Sequence, residues 1–266
     1  MTSTREPGLH QLSAQSLRHT RTDLERLMPG NVAAIAYGLA QEIIINTLGP
    51  DFWLRECCTF SAPQAFLATQ SQIRQHHLAR MLWVAREVPG FEQWLVRARN
   101  DDFEAAYFEL YWLSAFARLF RAVQLNVASG EKGSDFDLLL HDGLGFESLN
   151  VEVKTRTEPL ENRKKVRRFL DAARSQLPAG QPGAVVFRCS ARETLNQPEL
   201  DAAIQATISN SSRLAFVAYC WEPLSTDNLI AFAHACVTKT GRDDDLLKCQ
   251  PRITTPEELI AVCCGG

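Results

Sequence analysis

The sequence predicts a mixed α/β fold with an N-terminal helical lobe, and three observations predict it. From Thr22 to about Arg99, apolar residues recur at helical spacing between capping and breaking residues. Ser134 to Thr155, SDFDLLLHDGLGFESLNVEVKT, reads as a β-hairpin. After it, helical and strand-like segments alternate, as in a mixed sheet covered on both faces. A chain of 266 residues holds one large domain, or a domain with an added lobe. The expected division is a poorly ordered 1–20, a helical lobe 21–100, an α/β core 101–225, and a C-terminal extension 226–266 packed on that core.

Composition narrows the function classes. A formal net charge of −3 argues against a protein that coats nucleic acid non-specifically, though not against a local basic patch. The opening MTSTREPGLHQLSAQSLRHT has no apolar centre and is no signal peptide. The apolar stretch Asn31 to Leu48 is interrupted by Gln41, Glu42 and Asn46 and is short for a membrane span, so a buried helix is expected and no membrane partner. Eight cysteines without a C-x-x-C pair or export signal read as reduced thiols in the cytoplasm. The adjacent His76 and His77 read as a feature of a helix surface.

Within the lobe, Gly49-Pro50 closes the first buried helix. Ser61-Ala62-Pro63 supplies a cap and a first-turn proline for the next, which Pro89-Gly90 stops. Phe91, Trp94 and Leu95 begin a short helix. Asp101-Asp102 then open a helix expected from Phe103 to Arg121, where the acids complement its positive end. Its middle, AAYFELYWL, is apolar nearly all round, so Glu109 must be buried, and an unpaired buried charge is expensive. A metal, a metal-bound water or an arginine would supply the reason. Arg118 is one candidate arginine, and such a salt bridge is the bland reading. Glu104, in the first turn, is explained by capping, so Glu109 is preferred.

A short strand, Val123 to Val127, leads into the hairpin. Its first strand carries Asp135, Phe136, Asp137 and Leu138 to Leu140. Asp142-Gly143 and Gly145 offer the positive φ values a reversal needs. Leu149, Val151 and Val153 then alternate with Asn150, Glu152 and Lys154. Closing the hairpin symmetrically about Gly143 and Leu144 sets Asp135 opposite Glu152 and Asp137 opposite Asn150. One face then carries Asp135, Asp137, Asn150, Glu152 and Lys154, and Phe136 joins the apolar face. A slip would change which aspartate meets Glu152, so Asp137 is the reserve.

Two carboxylates a few ångströms apart repel unless one is protonated or a cation lies between them. Oxygen ligands on rigid strands suit Mg²⁺, which keeps several waters and takes one or two protein carboxylates. A lysine two residues after a ligand reaches a metal-bound water or a phosphate oxygen. These parts suit metal-assisted hydrolysis of a phosphodiester. Ordinary ion pairs on a solvated sheet face are the bland alternative.

Leu160 to Leu177 is expected to be a helix, beginning ENRKKVRR. From Lys154 to Arg174 there are eight Lys and Arg against three acids, the most basic stretch of an acidic chain. Arg156, Arg163, Lys164, Lys165, Arg167 and Arg168 are therefore the candidate nucleic-acid contacts. Ala184 to Arg188 reads as a buried strand, Pro198 to Ser209 as a helix and Leu214 to Cys220 as another strand. Leu229 to Val237 fits either a strand or a helix, and Asp243-Asp244-Asp245 reads as a solvated loop.

Asp135, then Glu152-Val153-Lys154 on the next strand, with Glu109 on the preceding helix, resembles the PD-(D/E)xK nuclease superfamily, whose fold is restriction-endonuclease-like. The resemblance covers about Asp101 to Trp221. Ser134 stands where the family has its proline, which removes no ligand. It implies a restriction-endonuclease-like core and a Mg²⁺-dependent endonuclease, with Mn²⁺ able to substitute. Asp135, Glu152 and the Val153 backbone carbonyl would hold the metal, Lys154 and Glu109 would complete the catalytic set, and Gln176 would be the glutamine members often carry on the following helix. DNA is the implied substrate because most members cut DNA. Many members dimerise to cut two strands, so a homodimer is compatible with the resemblance. Two other function classes remain: a catalytically inactive nucleic-acid-binding or protein-interaction module on the same fold, and a hydrolase of small phosphate esters.

Overall fold

A computed structural model describes residues 12–53, 65–100, 103–125, 136–155, 159–189, 195–221, 233–243 and 254–265. Among them the fold is mixed α/β, with nine helices and a seven-stranded mixed sheet. Ser61 to Pro63, Asp135, Arg156, and Asp244-Asp245 of the acidic run lie outside the described residues. No described helix is long and apolar enough to cross a membrane.

Helix α1 (Ala14–Leu27) begins inside the stretch expected to be poorly ordered. Ser13 and Ser16 close a reciprocal capping box, and Leu17 is fully buried, which together anchor it. Asn31 caps α2 (Val32–Leu48), the expected buried helix, and Gly49 ends it at φ 100°. A single turn, α3 (Pro50–Phe52), follows. Helix α4 (Ala65–Ala85) packs against α2, and against two helices further along the chain: α6 (Phe103–Phe116) and α9 (Pro256–Cys264). His76 and His77 are consequently buried, not on a helix surface as expected. The His77 Nδ1 hydrogen-bonds Thr254 Oγ1 at 3.1 Å. Burial, followed by the charges of Arg80 and Arg118, pushes the His77 imidazole down to about 4. Helix α9, opened by a Thr255–Glu258 capping box with Pro256 in its first turn, packs on α1, α2 and α4. The end of the chain thus closes the lobe formed by its beginning.

Helix α5 (Phe91–Asn100) starts at a fixed place. Gly90 has φ 88°, and a Cβ there would stand 2.0 Å from the Leu125 carbonyl oxygen. The Leu125 N–H donates to the Pro89 oxygen at 3.0 Å. This turn therefore docks on the end of strand β1 (Phe120–Leu125). Helix α6 stops at Phe116, short of the expected Arg121, and β1 starts at Phe120 rather than Val123. The reversal lets Phe120 pack edge-on against Phe116, with centroids 6.0 Å apart.

Strands β2 (Leu138–Gly143) and β3 (Phe146–Thr155) form the hairpin, antiparallel to each other, with β1 antiparallel to β2. Helix α7 (Arg163–Arg174) crosses over to β4 (Gly183–Cys189), parallel to β3. Helix α8 (Gln197–Ser209) crosses over to β5 (Leu214–Trp221), parallel to β4. Strands β6 (Ala233–Thr238) and β7 (Gly241–Arg242) finish the sheet antiparallel, resolving the ambiguous tail segment as a strand.

Two apolar clusters line the two faces. Val151, Val153, Ala184, Val186 and Ala218 join the lobe and α6 on one. Val185, Phe187, Val217 and Tyr219 join α7 and α8 on the other. On β3, Glu152 pairs in register with Val185 and Lys154 with Phe187, so both acid and lysine share the α7 face.

Candidate functional site

The hairpin closes one step away from the symmetric expectation. Gly143 pairs with Phe146 and Leu138 with Val151, so Leu144 and Gly145 are the two turn residues. Both have positive φ, 52° and 80°, which fits the right-handed twist of the strands. Asp142 also has positive φ (53°), whereas Gly143 does not. The sequence therefore named the wrong central pair. The slip amounts to two residues across the pair, so faces are kept but partners change. Asn150 now pairs with Leu139, and its amide donates to Gln181 Oε1 (3.0 Å) and to the Pro182 oxygen (3.2 Å). It anchors the entry to β4 and is not part of the acid cluster. Phe136 packs with the α7-side cluster, not with the face expected for it.

Asp137 lies one residue beyond the Leu138–Val151 pair, level with Glu152. Its N–H donates to the Val151 oxygen (3.0 Å), and its Oδ2 accepts from the Val153 N–H at 2.7 Å. Val151 C=O and Val153 N–H leave β3 on the same edge, either side of Glu152, so these two bonds fix Asp137 beside it. The Val153 carbonyl leaves on that same edge. Asp137, the reserve residue, is the aspartate of the pair that lies among the described residues; Asp135 lies outside them.

Four side chains from three further segments complete the cluster. Glu152 is 1 % exposed and ion-paired to Lys154, which is 35 % exposed. Glu109 comes from the middle of α6, 6 % exposed, and is ion-paired to Arg97 of α5, which is 40 % exposed. Arg97 also stands 3.9 Å from Asp137 Oδ1. Glu109 therefore has the arginine the bland reading asked for, but it is Arg97, not Arg118. Glu104 is elsewhere, paired with Arg74 and, at 3.6 Å, with Arg188.

The electrostatics follow from burial. Glu109 is pushed up to about 8, first by desolvation and then by the charge of Asp137, with Glu152 adding and Arg97 opposing. Asp137 is also raised by burial, held back by the Val153 N–H, by Lys154 and Arg97, and by its hydrogen bond with Glu109. Glu109 and Asp137 are hydrogen-bonded to each other and titrate as a pair. Three carboxylates thus meet two cations.

The basic helix begins where this cluster ends. Because α7 joins parallel strands, its N-terminus lies at the carboxyl end of β3, by Lys154. Val166, Leu170 and Ala173 face the sheet. Arg163, Lys164, Arg167 and Arg168 are exposed. Lys165 pairs with Glu161 at 2.8 Å and Arg167 with Asp171 at 3.6 Å. Arg163, Lys164 and Arg168 form no ion pair among the described residues. Gln176 lies at the other end of α7, next to Leu177, whose Cδ1 approaches Gly183 at the start of β4.

Among the described residues no group of three His, Cys, Asp or Glu is arranged to hold a metal ion. A magnesium ion needs only one or two protein carboxylates with water filling the rest of its shell. Asp137, just before β2 and bonded to the Val151 oxygen and the Val153 N–H on either side of Glu152, is with Glu152 the pair that could meet that smaller demand. Arg97 is the member the sequence reading missed. The signal was the buried glutamate itself, which required a cation, but nothing in the spacing chose among the arginines. No protein-family model matches the chain, and no curated protein matches it.

Proposed function

We propose that the chain is a divalent-metal-dependent nuclease with a restriction-endonuclease-like core, acting on phosphodiester bonds of DNA. The observation that carries this reading is Asp137 fixed beside Glu152, with Lys154 on Glu152 and Glu109 behind them. The element order supports it. A helix bearing Glu109, an antiparallel β1-β2-β3 meander bearing Asp137 and the E-x-K run, a crossover helix and a parallel strand follow the order the family resemblance implies. The exposed cations of α7 give a phosphate backbone a place to lie.

In this reading Asp137, Glu152 and the Val153 carbonyl would hold Mg²⁺ or Mn²⁺. When bound, such an ion lowers the pKa of water and offsets charge on a phosphoryl oxygen. Lys154 Nζ, half exposed, orients the attacking water and balances charge gathering on the phosphate. Glu109 accepts or returns a proton at its carboxylate, and Arg97 holds it in place. One observation favours the non-catalytic, nucleic-acid-binding reading: Asp137 Oδ2 is already engaged by the Val153 N–H.

The test is cleavage of circular and linear DNA, with RNA alongside, in Mg²⁺, Mn²⁺ and EDTA. Wild type is compared with Glu152→Ala and Lys154→Ala. Metal-dependent cutting lost by a factor of about 100 or more in both folded variants is the expected result. Binding without cutting supports the non-catalytic reading, and cutting that persists in both variants refutes this site.

A further inference from the structure

Arg97 belongs to the helical lobe, yet its guanidinium reaches the acid cluster of the sheet. Its approach is set by backbone. Gly90 and Pro89 dock the start of α5 on Leu125. Leu125 in turn pairs with Leu138, the neighbour of Asp137. Arg97 follows two helical turns later, about 10 Å along α5.

Exposure leaves Arg97 free for a second task besides neutralising Glu109. Glu109 is 6 % exposed, but Arg97 is 40 % exposed and so keeps part of its fork in solvent. Lys154 shows the same division against Glu152, 35 % against 1 %. Two half-exposed cations therefore flank three carboxylates, one contributed by the sheet and one by the lobe. A guanidinium carries five N–H donors in a plane, and the two carboxylate contacts leave others for an anion. Phosphate oxygens match that fork.

We propose that Arg97 contacts substrate: it donates to a phosphate oxygen of the bound nucleic-acid strand, so that the helical lobe completes the site. The inference rests on the nuclease reading, and it gives the lobe a task beyond covering the sheet.

The experiment uses the full chain as wild type, Arg97→Ala, Arg97→Gln and Arg97→Lys, each checked for folding by circular dichroism. A fluorescein-labelled DNA duplex is titrated across a series of KCl concentrations, with Ca²⁺ in place of Mg²⁺. Cleavage is measured separately in Mg²⁺. The expected result for Arg97→Ala is binding weakened about tenfold and a salt slope reduced by about one. Arg97→Lys restores the slope but not the full affinity, because a point charge lacks the fork. Arg97→Gln retains a partner for Glu109 and loses the slope, which keeps the measurement meaningful if the alanine variant unfolds. Wild-type salt slopes in Arg97→Ala and Arg97→Gln overturn the inference while cleavage by wild type leaves the nuclease reading standing. Wild type that neither binds nor cuts overturns both.

Discussion

Asp137 separates the two jobs a carboxylate can do at this position. Its Oδ2 accepts a 2.7 Å bond from the Val153 N–H, in a side chain 14 % exposed. Bonds of this charge-assisted kind contribute about 1.5–3 kcal/mol. Asp137→Ala removes that bond and the hydrogen bond with Glu109 but also removes the burial cost of the Asp137 carboxylate, so the net loss should be roughly 1–2 kcal/mol. For a chain of this size each kcal/mol moves Tm by about 2–4 °C, giving a drop near 5 °C. Asp137→Asn keeps a carbonyl oxygen for the Val153 N–H and loses only the charge, so its Tm should stay within about 2 °C of wild type. Cleavage should nevertheless fall in both by about two orders of magnitude, the scale on which removing one charge-stabilising group from a site acts. Urea and thermal unfolding give the first pair of numbers, and the DNA cleavage assay gives the second. Asp137→Asn that cuts at the wild-type rate would refute the ligand assignment. If Asp135→Asn then lost activity instead, the metal position would return to Asp135. Asp137→Ala as stable as wild type would refute the pinning of Asp137 to β3.

Two further predictions concern the lobe. The His77 imidazole is held near 4 against an ordinary value of 6.5, chiefly by burial. The unfolded chain therefore binds a proton between pH 6.5 and 4 that the fold does not, and stability falls as pH drops through that window. At pH 4.5 this amounts to roughly 2–3 kcal/mol. The stability difference between His77→Gln and wild type should shift toward the variant by that amount between pH 7 and pH 4.5 in urea unfolding; an equal difference at both pH values would refute it. Gly90→Ala should cost at least about 2 kcal/mol, since it combines positive φ with a Cβ 2.0 Å from the Leu125 oxygen. Gly30→Ala, at φ 75° with nothing within 4 Å of the new Cβ, should cost only about 1 kcal/mol, and equal losses would show that the close approach to Leu125 does not matter.

Much of the hairpin was legible because alternation is a local signal. Leu149, Val151 and Val153 declare one face of β3, and Glu152 and Lys154 necessarily declare the other. The register was not legible, because a slip of two residues preserves the faces of the paired strands from Leu138 onward. Asp142-Gly143 is the stronger turn signal by composition, yet the chain turns at Leu144-Gly145 and holds a leucine at φ 52°. A leucine is an uncommon occupant of that region, so residue preference pointed the wrong way. The histidines of α4 were misread for a different reason. Their burial depends on α9, some 180 residues later, and on the Thr254 hydroxyl that precedes it. Long-range packing of that kind leaves no mark at the site of the histidines.

The excess of acid in the cluster is the point on which stability and function diverge. Hydrophobic groups of similar volume in place of a buried ion pair are often neutral or stabilising. A network kept for stability would match each buried carboxylate with a cation. Arg97 and Lys154 match two, and Glu109, Asp137 and Glu152 make three. The third carboxylate shares Arg97 with Glu109 and brings no cation of its own, and the charges of Asp137 and Glu152 raise the proton affinity of Glu109. Asp137 sits next to the last described pair of β1 with β2, Leu125 with Leu138. In the proposed nuclease reading, that surplus negative charge close to exposed cations would serve a divalent ion and a phosphate together.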